Sequence, residues 1–156
     1  MKGTIERIRV YPEKGAAGRD LTEGRLIEGL GLEGDFHAVG GERQISLLLA
    51  DIYEETMAGK EKGLCFSRFK ENLFIRRRTP ANPGSGETFP EFDGIRPGLE
   101  LFAGEAILKI TGETKHCHEE CSLYRQGRQC PLAGMNLFAK VEKSGIIGIG
   151  TEIGLT

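Results

Sequence analysis

Glycine stands at 23 of the 156 positions, roughly twice its usual share of about 7%, and it breaks the chain so often that no apolar segment grows long. The spacing has no collagen-like period, so these residues mark tight turns and places where backbone must approach something closely. Short apolar segments between frequent turns favour strands over long helices.

Along the chain, TIERIRV at 4–10 sets Ile5, Ile8 and Val10 among charged residues in imperfect alternation, which predicts a half-buried strand ended by Pro12. The stretch from there to about residue 42 reads as one glycine-rich loop. RQISLLL from Arg43 predicts a buried strand, and ADIYEETM a short helix stopped near Gly59 with Ile52, Tyr53 and Thr56 inward. FSRFKENLFI at 66–75 predicts another strand. The residues after it, beginning with Arg76, Arg77 and Arg78, have the composition of a solvated loop. Pro97 and Gly98 suit a tight turn. ELFAGEAILKITG and IIGIGTEI each read as strands joined by a glycine turn. The sum is a mostly β fold, a closed or partly open β-barrel with one or two short helices, in a single domain over 1–156.

A formal charge of -2 argues against a protein that wraps nucleic acid. The N-terminal segment lacks the apolar run of an export signal, and ISLLLA is far too short to span a bilayer. The expected location is the cytoplasm, with no membrane partner and with the four cysteines as thiols.

KHCHEEC at 115–121 concentrates the reactive side chains. A free cysteine is only slightly ionised at neutral pH, and Lys115, His116 and His118 beside Cys117 are the groups that would favour its thiolate. Cys117, Cys121 and Cys130 with a histidine could instead supply four zinc ligands, although the spacing lacks the paired C-x2-C knuckles of a strong zinc signature. Elsewhere, His37 follows Gly34 and Asp35, an imidazole near a carboxylate that serves as an oriented acid, a ligand or a hydrogen-bonded loop residue. Arg43 and Gln44 open the apolar strand, where a guanidinium grips an oxyanion or forms a surface salt bridge. Arg68, Lys70, Glu71 and Asn72 raise the same choice.

Taken in order, GLEGDFHAVGGERQISLL, FKENLFI and GLELFAGEAILKITGETKHCHEEC resemble the MOSC family, named after the C-terminal part of molybdenum cofactor sulfurase, over roughly residues 3–153. The G-x-x-G-D-x-H loop before R-Q, the E-N-L strand and a cysteine soon after the I-T strand carry the resemblance. The GTEI ending, the C-P-L-A-G stretch at 130–134 and the loop at 77–94 depart from the family pattern at its rim. The resemblance implies a β-barrel and a cysteine, here Cys117, that carries sulfur as a persulfide or ligates molybdenum in the pterin cofactor. By motif position it implies that Gly34, Asp35, His37, Arg43, Gln44 and Asn72 line a pocket, with Arg43 on the cofactor's phosphate; Lys115, His116 and His118, neighbours of Cys117, are further candidate cofactor contacts, and Cys121 a further candidate metal ligand. The implied activity is binding and delivery of molybdenum cofactor (molybdopterin) or its sulfurated form. Its partners would be cofactor synthesis or delivery proteins and a cysteine desulfurase. Two alternatives stay open at this point: a molybdenum-dependent reductase of N-hydroxylated bases with a separate electron donor, and a zinc-stabilised binding module.

Overall fold

The computed structural model describes residues 2–59, 62–78, 95–112, 117–128 and 137–155. The first half contains β1 (Lys2–Val10), β2 (Arg19–Leu21), β3 (Glu23–Ile27), β4 (Gly31–Leu32), β5 (Ile45–Leu49), α1 (Ala50–Ala58), a 3-10 turn at Leu64–Ser67, and β6 (Leu73–Arg77). The second half contains β7 (Glu100–Ala103), β8 (Ala106–Ile110), the one-turn α2 (Ser122–Arg125), β9 (Leu137–Lys143), β10 (Gly145–Gly148) and β11 (Glu152–Leu155). Among the described residues no helix is long and apolar enough to cross a membrane.

Seven strands close into a barrel in the order β1, β11, β7, β8, β9, β5, β6, with β6 pairing back onto β1 and β2 extending from β1. Closure removes the open edges that would otherwise recruit other chains. The core follows the period-2 rule: Ile45, Leu47 and Leu49 of β5 meet Leu73 and Ile75, Leu101 and Ala103, and Leu108 and Ile110, all essentially inaccessible to solvent. Each such leucine or isoleucine contributes about 1.5–3 kcal/mol by leaving water.

The imperfect alternation of β1 has a structural cause. Ile5 lies opposite Ile75 and Arg7 opposite Phe74, so Glu6 is the extra residue of a β-bulge. The bulge resets the phase, and Ile5 and Ile8, three apart in sequence, both enter the core.

β5 is buried on both faces because β5 and β6 are parallel neighbours and need a crossover. α1 supplies it and covers the outer face, where Leu48, Ala50 and Phe74 pack with Tyr53 and Phe69. Of the predicted inward helix residues, Ile52 and Thr56 are buried, and Tyr53 meets Phe74 edge to face at 5.6 Å.

Several sequence expectations need correction. The stretch from 13 to 42 is not one loop: it carries β2, β3 and β4. With β10, β3 and β4 form a small second sheet that adds Leu26, Leu32 and Ile147 to the barrel core. The strand expected from residue 66 begins only at Leu73, after the 3-10 turn. Arg76 and Arg77 belong to β6 and not to a solvated loop edge. Arg76 lies between Glu6 and Glu54, and Arg77 is nearly buried against Asp51. The strand LFAKVEK, β9, was not expected at all. The turn at Pro97 and Gly98 is as expected, with Gly98 at φ 90° and the Leu99 amide donating to the Arg96 carbonyl. The rest of the predicted loop at 79–94 lies outside the described residues.

Gly31 joins the second sheet to the barrel. It has φ 135°, and a Cβ there would sit 2.8 Å from the Gln44 carbonyl oxygen. Gly15 also has a positive φ, 81°, but a Cβ there would meet nothing. Gly31→Ala should therefore lower stability by clearly more than about 1 kcal/mol, and by more than Gly15→Ala. Urea unfolding of the two variants beside the parent measures this, and equal effects would contradict the close approach.

Candidate functional site

The strand order brings the sequence motifs to one end of the barrel. Leu73, the first residue of β6, lies beside Ile8 near the end of β1 and beside Leu47 of β5. Ile45, the first residue of β5, lies opposite Ala139 near the start of β9, and Ala139 lies opposite Ile110, the last residue of β8. The ends of β1 and β8 and the beginnings of β5, β6 and β9 therefore share one barrel mouth. At that mouth lie the Asp35–His37 loop, through its contacts with Tyr11; the Arg43–Gln44 pair; the Glu71–Asn72 pair; and Thr111 at the end of β8, which Cys117 follows in sequence after residues outside those described.

Asn72 is the node of this mouth. Its amide oxygen accepts from the Ser46 amide (3.0 Å), and its nitrogen donates to the Arg9 carbonyl (3.1 Å) and to Asp35 Oδ2 (2.9 Å). Its own backbone bridges the same strands, accepting from Arg9 and donating to Ser46. One buried side chain thus ties β1 and β5 to the 31–41 loop. The Asp35 side chain is wholly inaccessible; besides Asn72 it accepts from the Tyr11 amide (2.9 Å) and the His37 amide (2.9 Å), and its Oδ1 lies 3.2 Å from His37 Nδ1. Gln44 pins the other end of the loop, donating to the Gly29 and Gly41 carbonyls and accepting from the Val141 amide.

Three of the residues expected to line a pocket, Asp35, Gln44 and Asn72, therefore direct their polar atoms inward, where they satisfy backbone groups. Buried polar groups demand such partners, and this sets their orientation. Gly34 occupies an exposed turn at φ 83°. The His37 side chain is 53% exposed, set edge-on to Phe36. Arg43 is exposed, its guanidinium 5.2 Å from the centre of the Phe138 ring at the start of β9.

Cys117 is half-buried and His118 exposed. Cys121 is buried at the N-terminal cap of α2. A backbone hydrogen bond to Leu64, with Tyr124 behind it, holds the Cys121 thiol below its usual pKa against the opposing effect of burial. Lys115, His116 and Cys130 lie outside the described residues. Among the described residues no three His, Cys, Asp or Glu side chains converge as metal ligands.

Lys70 and Glu71, marked in the sequence, belong to a charged cluster beside Asn72 whose other members, Arg7, Arg9, Tyr11 and Asp20, the sequence reading does not mark. Glu71 is buried, paired with Arg7 and 3.6 Å from Arg9, while Arg9 also holds Asp20 at 2.7 Å. The Lys70 ammonium sits 5.1 Å from the Tyr11 ring centre and donates to the Ala16 carbonyl. Burial, and then the nearby Glu71, raises the Tyr11 hydroxyl pKa. The sequence signal for this cluster is the i, i+2 spacing of Arg7 and Arg9 on β1, continued by Tyr11 just past its end, which sets the three on one side of the chain. Of two surface hollows, of about 340 and 420 Å³, the larger is lined in part by Arg7 and Asp20 of this cluster, and neither includes Cys117 or His37.

Comparison with solved structures fits this architecture. The fold is that of YuaD from Bacillus subtilis. The two chains superpose with a TM-score of 0.67 at 18% identity, over 99% of this chain and 96% of that one. YiiM from Escherichia coli superposes with a TM-score of 0.57 at 18% identity, over all of this chain and 70% of that one. A protein described only as hypothetical gives 0.60 at 17% identity, over 99% and 68%. At these identities the likeness is one of fold. No family model matches the sequence, and no curated protein does.

Asn72→Ala would strand the Ser46 amide and the Arg9 carbonyl and remove one donor to Asp35. With about 1–3 kcal/mol for each buried group left unsatisfied, the variant should lose about 3 kcal/mol in urea unfolding. A loss below about 1 kcal/mol would show that the amide does not hold the mouth together.

Proposed function

We propose that this chain is a MOSC-type module that binds molybdenum cofactor, or its sulfurated form, at the barrel mouth through Cys117, and that it carries or delivers that cofactor. One observation supports the reading above the rest: the three motif segments, far apart in sequence, leave the barrel at the same end. The MOSC-like architecture shared with YuaD and YiiM is consistent with it.

The donor chemistry fits the cofactor better than it fits a closed cage. A half-buried thiol suits a soft metal centre that keeps its other positions for non-protein ligands. Arg43, exposed at the start of β5, is the cation suited to a phosphate group. When bound, the cofactor supplies a metal able to change oxidation state and to hold sulfur or oxygen. In this reading Asp35, Gln44 and Asn72 keep the loop and strands in register and do not themselves touch the guest. The partners are proteins that make or receive the cofactor, with a cysteine desulfurase as the source of sulfur.

Protein purified from a host that makes the cofactor should contain molybdenum and pterin. Cys117→Ser should reduce both by at least about tenfold, since a direct ligand is worth no less than the 10–100-fold of an outer partner. Cys65→Ser, at the half-buried cysteine of the 3-10 turn, should leave both unchanged. Equal metal content in the parent and Cys117→Ser would refute the proposal.

A further inference from the structure

The Asp35–His37 pair has an asymmetry that the fold alone does not require. Asp35 Oδ1 accepts the His37 amide, and Oδ2 accepts both the Tyr11 amide and the Asn72 side chain. With N–H donors aimed at both oxygens, the carboxylate is an acceptor throughout. The hydrogen in its 3.2 Å contact with His37 must then be carried by Nδ1. A neutral imidazole has one N–H, so its other nitrogen, Nε2, is left with a lone pair. Because the ring is 53% exposed while Asp35 is fully enclosed, that lone pair belongs to the outward side of the pair.

We infer that His37 is the proton and hydrogen-bond acceptor of the barrel mouth, held by Asp35 in the Nδ1–H form so that Nε2 meets a protic group (N–H, O–H or S–H) of the bound guest. This deepens the cofactor reading and rests on it for the identity of the guest. Asp35 is a positioning residue, and Asn72 fixes Asp35 in turn through the 2.9 Å bond to Oδ2. The arrangement is the one by which a carboxylate selects a histidine tautomer and sets the role of the second nitrogen. If a proton moves, it passes from the guest's protic atom to Nε2. The resulting imidazolium keeps its Nδ1–H on Asp35, whose negative charge faces the new positive one.

A structural histidine needs no such polarity. Its ring would serve equally well in either tautomer, and truncating a half-exposed side chain would change little beyond local packing.

The first test needs no guest. In protein with nitrogen-15 histidine, and with His37→Gln to assign the signals, Nδ1 of His37 should show the shift of a protonated ring nitrogen and Nε2 that of an unprotonated one. An Nε2–H tautomer, or the averaged signals of a free imidazole, would overturn the inference. The second test compares His37→Gln with the parent in urea unfolding and in molybdenum and pterin retention. The expected result is an unchanged unfolding midpoint and a roughly two- to tenfold loss of retention, the worth of one hydrogen bond. Unchanged retention would also overturn it. Should Cys117→Ser keep its cofactor while the Nδ1–H form is observed, the identity of the guest fails and the oriented imidazole stands. Should Cys117→Ser lose cofactor while the Nε2–H form is observed, the reverse holds.

Discussion

A single buried amide organises the functional end of this protein. Asn72 spends both polar atoms inside, on Ser46, Arg9 and Asp35, and so joins two strands that are not neighbours to a loop that has little regular structure. Hydrogen bonds of this kind add only modest net stability when made, but their loss is costly because the stranded partners are out of water. The loop therefore has one favourable seat on the barrel. His37, at the end of this chain of contacts, inherits a fixed ring orientation without being buried itself.

The barrel gives that node its use. Closing seven strands brings the ends of β1 and β8 beside the starts of β5, β6 and β9, so residues from the first, middle and last thirds of the chain share one rim. The crossover through α1 makes β5 and β6 parallel, and for that reason Arg43–Gln44 and Glu71–Asn72 open onto the same side. An antiparallel pair would have sent them to opposite ends.

Much of this was legible in the sequence, for identifiable reasons. Strands with an apolar alternation or a continuous apolar run, such as Lys2–Val10 and Ile45–Leu49, were found, as was the helix after β5. The short strands β2, β3 and β4 were hidden because two to five residues rich in glycine and charge carry no periodic signal, and only pairing with β1 and β10 reveals them. β9 escaped because charge follows its few inward residues closely. At the site, residue identity was legible and direction was not. Asp35, Gln44 and Asn72 stood out as polar residues in a motif, yet whether a polar side chain meets a guest or a backbone amide is decided by tertiary packing. Arg76 and Arg77 mislead in the opposite sense: three consecutive arginines suggest solvent, but Glu6, Glu54 and Asp51, from β1 and α1, draw the first two into the sheet.

The Asn72–Asp35 node holds the loop to the barrel as part of the cooperative core. Native-state hydrogen exchange of the Tyr11, His37 and Ser46 amides, each bonded to Asp35 or Asn72, tests it most directly. All three should exchange only through global unfolding, with the same free energy as the core strands. Rapid exchange of the Tyr11 and His37 amides, while the β5 and β6 amides stay protected, would mean that the loop opens independently, and would contradict it.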